Sequence, residues 1–262
     1  MTRILSGVVL IAIVIGVVGF LPSWGTLALA TLLLAAAVRE YFPLVERGTP
    51  LPRAVVLVAT AVVALVIGYW PAAPVEVALA AAMLVVGALA VGSLHPGEDV
   101  ARRVGVALFP VLYLGVPVGV TVAVRDRWGA SAMFALLFTI IVSDTAQYYG
   151  GRLMGRRLLA PVISPKKTIE GALTGFAAGA IALPALGHWW LPWLPPWALA
   201  MVGVTLVAAG IVGDLFESLL KRSAGVKDAS ALIPGHGGVL DRLDSLLFAG
   251  PVFYMFLRFA AQ

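Results

Sequence analysis

Cysteine is absent from this 262-residue chain, which excludes disulfides, thiolate metal sites and cysteine nucleophiles. Charge is scarce as well: 12% of residues are Asp, Glu, Lys or Arg, against 61% hydrophobic. A water-soluble domain could not stay dispersed with so little polar surface, and no polar run is long enough to build one. What the chain has instead is apolar sequence in stretches of about 20 residues, the length that crosses a bilayer as a helix.

Nine such stretches follow one another: Ile4 to Leu21, Trp24 to Val38, Ala54 to Trp70, Val75 to Leu94, Val104 to Val124, Ala130 to Tyr149, Ile169 to Leu186, Trp197 to Leu220 and Ser245 to Ala261. They are continuously apolar and rich in Ala, Leu and Val, without the alternating polarity of barrel strands. The expected fold is therefore all-α: a polytopic membrane protein of about nine transmembrane helices, forming a single integral membrane domain over residues 1–262. Met1-Thr2-Arg3 opens like a signal peptide, but Leu21-Pro22-Ser23-Trp24 lacks a small-x-small cleavage pattern, so the first stretch reads as a retained span.

The 18 Lys and Arg residues orient the chain. With the N-terminus cytoplasmic, Arg3, Arg39, Arg47, Arg53, Arg102, Arg103, Arg152, Arg156, Arg157, Lys166, Lys167, Lys221, Arg222, Lys227 and Arg242 lie inside. Only Arg125, Arg127 and Arg258 lie outside. This is the positive-inside distribution, and it puts the C-terminus outside. The run His188-Trp189-Trp190-Leu191-Pro192-Trp193 reads as an interfacial tryptophan belt, and His95 as a loop histidine, so neither enters the site.

Ionisable residues in or beside spans are costly, and here they gather on one side. The last inside loop and its flanking span ends carry Asp214, Glu217, Ser218, Lys221, Arg222, Lys227, Asp228, His236, Asp241, Arg242 and Asp244. The preceding inside loop supplies Asp144, Gln147, Arg152, Ser164, Lys166, Lys167 and Glu170. Asp214, Ser218 and Lys221 stand at i, i+4 and i+7, one face of a helix; Asp241, Asp244 and Ser245 stand at i, i+3 and i+4, one face at the start of the next. Carboxylates from adjacent helix ends, ringed by basic groups, are what a divalent-metal phosphate site requires. The glycines around His236 offer backbone N–H groups a close approach to phosphate.

Ser218-Leu219-Leu220-Lys221-Arg222, then Lys227-Asp228, then Pro234-Gly235-His236-Gly237-Gly238-Val239-Leu240-Asp241-Arg242-Leu243-Asp244 resembles the signature of the phosphatidate cytidylyltransferases, the CDP-diacylglycerol synthases. Upstream, Ser143-Asp144-Thr145-Ala146, Tyr149-Gly150-Gly151-Arg152 and Ile163-Ser164-Pro165-Lys166-Lys167-Thr168-Ile169-Glu170-Gly171 are similar to a second block of that family. Ile169 departs from it, standing where an aromatic is common. The specific motifs cover the C-terminal half, so residues 129–262 are expected to be the catalytic half. Residues 1–128 are expected to be helices for scaffolding or dimerisation.

The resemblance implies a Mg²⁺-dependent reaction of CTP with phosphatidic acid that gives CDP-diacylglycerol and pyrophosphate in phospholipid biosynthesis. It implies a multi-pass protein of the cell inner membrane whose site faces the cytoplasm. It leaves room for a second cation, monovalent or divalent, and suggests a homodimer among membrane lipids, with no nucleic-acid partner. The catalytic residues implied are Ser218, Lys221, Arg222, Asp241, Asp244, Asp144 and His236. Asp214 and Asp241 are the expected metal ligands, with Asp144 or Asp244 completing or orienting the set. Lys166, Lys167, Arg152, Lys227, Asp228, Gly237, Gly238 and Arg242 are expected to meet the substrates. Ser218 either donates to a phosphate oxygen or fixes Asp214, and His236 either protonates pyrophosphate or shapes the Gly-rich turn.

Two other classes share parts of this pattern. A CTP-dependent lipid or polyprenol kinase also needs inside basic loops, carboxylates and magnesium, but transfers the γ-phosphoryl group. A transporter would place its charges near mid-bilayer in broken helices and often shows repeated halves, which this sequence does not.

Overall fold

The computed structural model of the chain describes residues 2–45, 51–70, 75–95, 99–235 and 237–260. Arg47 and His236 of the sequence reading lie outside the described residues. Helix dominates, as it must where backbone N–H and C=O groups find no water and have to pair within their own segment. The helices are α1 (Thr2–Phe20), α2 (Ser23–Val45), α3 (Arg53–Tyr69), α4 (Val75–Ser93), α5 (Val100–Pro110), α6 (Val116–Met154), α7 (Ile169–Trp190), α8 (Pro196–Ser223) and α9 (Leu240–Ala260). A π-helical turn, Val111–Gly115, joins α5 to α6.

Among the described residues, six helical stretches are long and apolar enough to cross a membrane: α2, α4, the stretch Val100–Met154, α7, α8 and α9. Leu5–Phe20 and Arg53–Tyr69 are apolar but shorter. The sequence places two spans in the 55-residue stretch Val100–Met154, and the structure breaks it between them. Gly129 has φ 83° and ψ −179°, a backbone conformation closed to side chains with a Cβ, so helical hydrogen bonding stops there. α7 continues through His188 and Trp189 to Trp190, so the first half of the tryptophan belt is helical.

A two-stranded antiparallel hairpin departs from the all-helical expectation: β1 (Leu158–Ala160) pairs with β2 (Ser164–Thr168), Leu158 opposite Thr168 and Ala160 opposite Ser164. Proline explains the change. Pro161 and Pro165 cannot continue a helix, and each pushes the residue before it towards extended backbone. Thr168 then caps α7, its hydroxyl accepting from the Gly171 N–H at 3.1 Å.

The chain forms two compact units. The first comprises Met1–Asp126 with Asp228–Leu240, and the second Arg127–Lys227 with Asp241–Gln262. Residues 228–240 thus group with the N-terminal helices.

Within the first unit, small residues bring α3 against the π turn and the start of α6. A Cβ at Gly115 would lie 2.9 Å from the Thr60 carbonyl oxygen, and one at Gly119 would lie 2.8 Å from that of Ala64. Tyr41 of α2 stacks on Phe109 at 5.9 Å, and Phe109 on Tyr113 at 5.2 Å.

Within the second unit, α6 meets α7 where the Thr174 hydroxyl donates to the Ala146 carbonyl at 2.9 Å. α7 meets α8 backbone to backbone at Gly179 and Gly203, where a Cβ on Gly203 would run into the Gly179 carbonyl. We expect Gly203→Val to force these helices apart, at about 1–3 kcal/mol for overpacking. A thermal melt in detergent checks this, and an unchanged midpoint would show that the contact is not limiting.

Candidate active site

Close packing of α8 on α9 sets the site. A Cβ at Gly213 would run into the Asp244 carbonyl, and at 3.0 Å would meet the Phe248 ring, so only glycine lets the two backbones come this near. Just beyond, Lys221 of α8 places its ammonium 2.5 Å from Glu217 Oε2 and 2.5 Å from Asp241 Oδ1. All three are buried, with Glu217 fully inaccessible. Glu217 and Lys221 lie one helical turn apart with the acid first, the favourable order. Glu217 Oε1 has no hydrogen-bond partner among the described residues.

One turn earlier, Asp214 meets Lys167 of β2 at 2.5 Å and accepts from the Ser218 hydroxyl at 3.3 Å. Strand geometry selects that lysine: successive side chains of β2 point to opposite faces, so Lys167 turns in while Lys166 stays exposed. Asp144 of α6 accepts from the Gln147 amide at 3.0 Å and is near enough to feel the charges of Lys167 and Asp214. Asp244 is in turn repelled by Asp214 and Asp144, and Glu217 interacts with both Asp244 and Asp241.

The hairpin that carries Lys167 is anchored by Glu170, whose Oε2 accepts from the N–H groups of Arg156 at 3.0 Å and Arg157 at 3.2 Å. Five carboxylates and two lysines from α6, β2, α8 and α9 thus gather in the second unit.

Other residues named from the sequence stand outside this cluster. Arg222 is exposed and donates to the Val226 carbonyl at 2.8 Å, bracing the turn after α8 in which Gly225 takes φ 74°. Arg152, Lys166, Lys227, Asp228 and Arg242 are exposed. Gly237 takes φ 79° beside an isolated bridge between Ile233 and Gly237. At Gly238 a Cβ would lie 2.5 Å from Oε2 of Glu40, so the close approach this glycine permits is that of a carboxylate of the same chain.

Glu217, given no role from the sequence, is central here, and Glu40, also given none, is buried in the first unit. Glu217 was visible as an intramembrane charge four residues before Lys221. Glu40 carries no local signal beyond being an acid in an apolar stretch.

The donor set fits a hard divalent cation in kind, since it is all oxygen. Among the described residues no three Asp, Glu or His side chains already stand in ligating arrangement, and Lys167 and Lys221 hold two of the acids.

Comparison with known proteins identifies the family. The cytidylyltransferase family matches residues 1–260. A Helicobacter pylori protein named phosphatidate cytidylyltransferase is 36% identical over 195 residues, 74% of this chain and 69% of its own length. A Synechocystis protein of the same name is 42% identical over 142 residues, 50% of this chain and 47% of its own. An uncharacterized Escherichia coli protein, YnbB, is 42% identical over 131 residues, 50% of this chain and 44% of its own. With a family match over nearly its whole length, the chain belongs to the cytidylyltransferase family and is a nucleotidyltransferase built from membrane helices.

Proposed function

We propose that the chain is a phosphatidate cytidylyltransferase, joining the phosphate of phosphatidic acid to the cytidylyl group of CTP with release of pyrophosphate. The observation that carries this reading is the gathering of Asp144, Asp214 and Asp244 beside Lys167 and the Lys221 triad, in a family whose curated members include proteins of that name. The nucleophile, a phosphate monoester, is already ionised near neutral pH. The site therefore has less need of a strong base than of groups that screen two mutually repelling phosphates and hold them in line.

Lys167 and Lys221 meet these acids, and they bind and orient phosphate oxygens. Ser218 fixes the Asp214 carboxylate through its hydroxyl. Asp214 and Asp241 would hold Mg²⁺, with Asp144 and Asp244 beside them to complete or orient the set. When bound, Mg²⁺ supplies neutralisation of the triphosphate and of the departing pyrophosphate.

The positive residues favour nine crossings with the N-terminus and this site on the cytoplasmic side, at the depth of an inner-leaflet headgroup. No step then requires the lipid phosphate to cross the bilayer.

The test is conversion of phosphatidic acid by the purified protein with α-labelled CTP and Mg²⁺, repeated in sealed inside-out vesicles with CTP added outside. Labelled CDP-diacylglycerol with unlabelled pyrophosphate is the expected product in both, and chelation of Mg²⁺ abolishes it. Labelled CDP without labelled lipid would replace this reading with a kinase. Turnover in detergent but not in the vesicles would reverse the orientation.

A further inference from the structure

We propose that Glu40 of α2 is a positioning residue for cytidylyl transfer, holding the segment Gly237–Leu240 and so fixing the start of α9, one residue before Asp241. The proposal rests on the reading of Asp241 as part of the active site. Glu40 is 6% exposed, and its carboxylate is saturated by one short stretch of chain. Oε1 accepts from the Ser230 hydroxyl at 2.6 Å and from the Val239 N–H at 3.0 Å, and Oε2 accepts from the Leu240 N–H at 2.8 Å.

Leu240 is the first residue of α9, so two of these donors belong to a helix start, where N–H groups have no intrahelical partner. A carboxylate there gains both charge-assisted hydrogen bonds and a favourable position in the helix dipole. The acid comes from a residue 200 positions earlier in the chain.

The segment has local ties as well. It follows a turn with positive φ at Gly235 and Gly237, tied by the bridge between Ile233 and Gly237 and by the Ser6 hydroxyl donating to the Pro234 carbonyl at 3.0 Å. Gly238 is cut to fit the acid: a Cβ there would stand 2.5 Å from Oε2 and 2.8 Å from Oε1. The next residue after Leu240 is Asp241, whose Oδ1 meets Lys221. A shift of the helix start passes directly along the backbone to that carboxylate, and displacements of about 1 Å at reacting groups can cost about 10²-fold in rate. Glutamine cannot replace the acid: its NH₂ would face an N–H or hydroxyl donor at one of the two oxygen positions.

The experiment is Glu40→Gln in the full chain, read by steady-state kinetics, by thermal melting and by hydrogen exchange at the Val239 and Leu240 amides. We expect kcat to fall by about 10- to 100-fold with KM for CTP near that of the parent, in line with misplacement and not lost binding. The two amides should exchange faster while those of α7 and α8 are unchanged. Ser230→Ala removes one donor with little risk to folding and should give a smaller fall of the same kind, so the idea stays testable if Glu40→Gln does not fold.

Faster exchange with parental kcat would overturn the role of Glu40. So would unchanged exchange, or a loss of activity that only tracks the loss of folded protein. A parent chain that transfers no cytidylyl group overturns the reading of the site itself, and does so whatever the exchange shows, so the two failures are told apart.

Discussion

Lys221→Met is expected both to melt early and to turn over about 10²- to 10³-fold more slowly than the parent. The ammonium sits between Glu217 and Asp241 at 2.5 Å from each, and none of the three is more than 8% exposed. Removing it leaves two carboxylates facing one another without the charge that paid for their burial. Breaking a buried pair from one side costs about 3–5 kcal/mol, because the group left behind keeps its desolvation penalty. The effect on rate has a separate origin, the loss of a cation that meets phosphate.

A double variant separates them: Lys221→Met with Glu217→Gln restores much of the melting temperature and none of the turnover. Melts in detergent and labelled-CTP turnover on both proteins check this. A single variant that melts with the parent would mean that Lys221 does not hold α8 to α9.

The register of α8 is legible in the sequence. Asp214 and Ser218 at i and i+4 do meet, the hydroxyl on the carboxylate, because one helical turn brings any such pair together. Hydropathy likewise found that the chain is built of apolar helices, since composition alone sets which segments can live without water, and Gly129 marks a break in the longest of them.

The lysine pair on β2 was not separable in advance. Lys166 and Lys167 are alike in sequence, and only the pleat of a strand, itself signalled by nothing stronger than Pro161 and Pro165, turns one towards Asp214 and the other outward. Glu40 was the least legible of all. Its three partners lie about 200 positions away, and sequence reports contacts well only where spacing is short enough for helix or strand geometry to impose them.

Asp214→Asn is expected to act in the opposite sense to Lys221→Met, costing turnover and little stability. Asp214 is crowded by like charge, with Asp144 and Asp244 near enough to repel it, and its partner Lys167 is 22% exposed and free to turn to solvent when the acid is gone. Removing one of three mutually repelling charges offsets the loss of that ion pair, and the amide oxygen still accepts from Ser218. Stability should therefore stay within about 1 kcal/mol of the parent's. Turnover should fall by about 10²- to 10³-fold, the scale of losing one preorganised electrostatic contact to the transition state. The Mg²⁺ concentration that gives half of the residual rate should rise as well, since an amide oxygen is a poorer ligand for a hard cation than a carboxylate. A Mg²⁺ titration of the variant decides the matter. Parental turnover at the parental Mg²⁺ requirement would remove Asp214 from the cation-holding set and leave Lys167 with a purely structural partner.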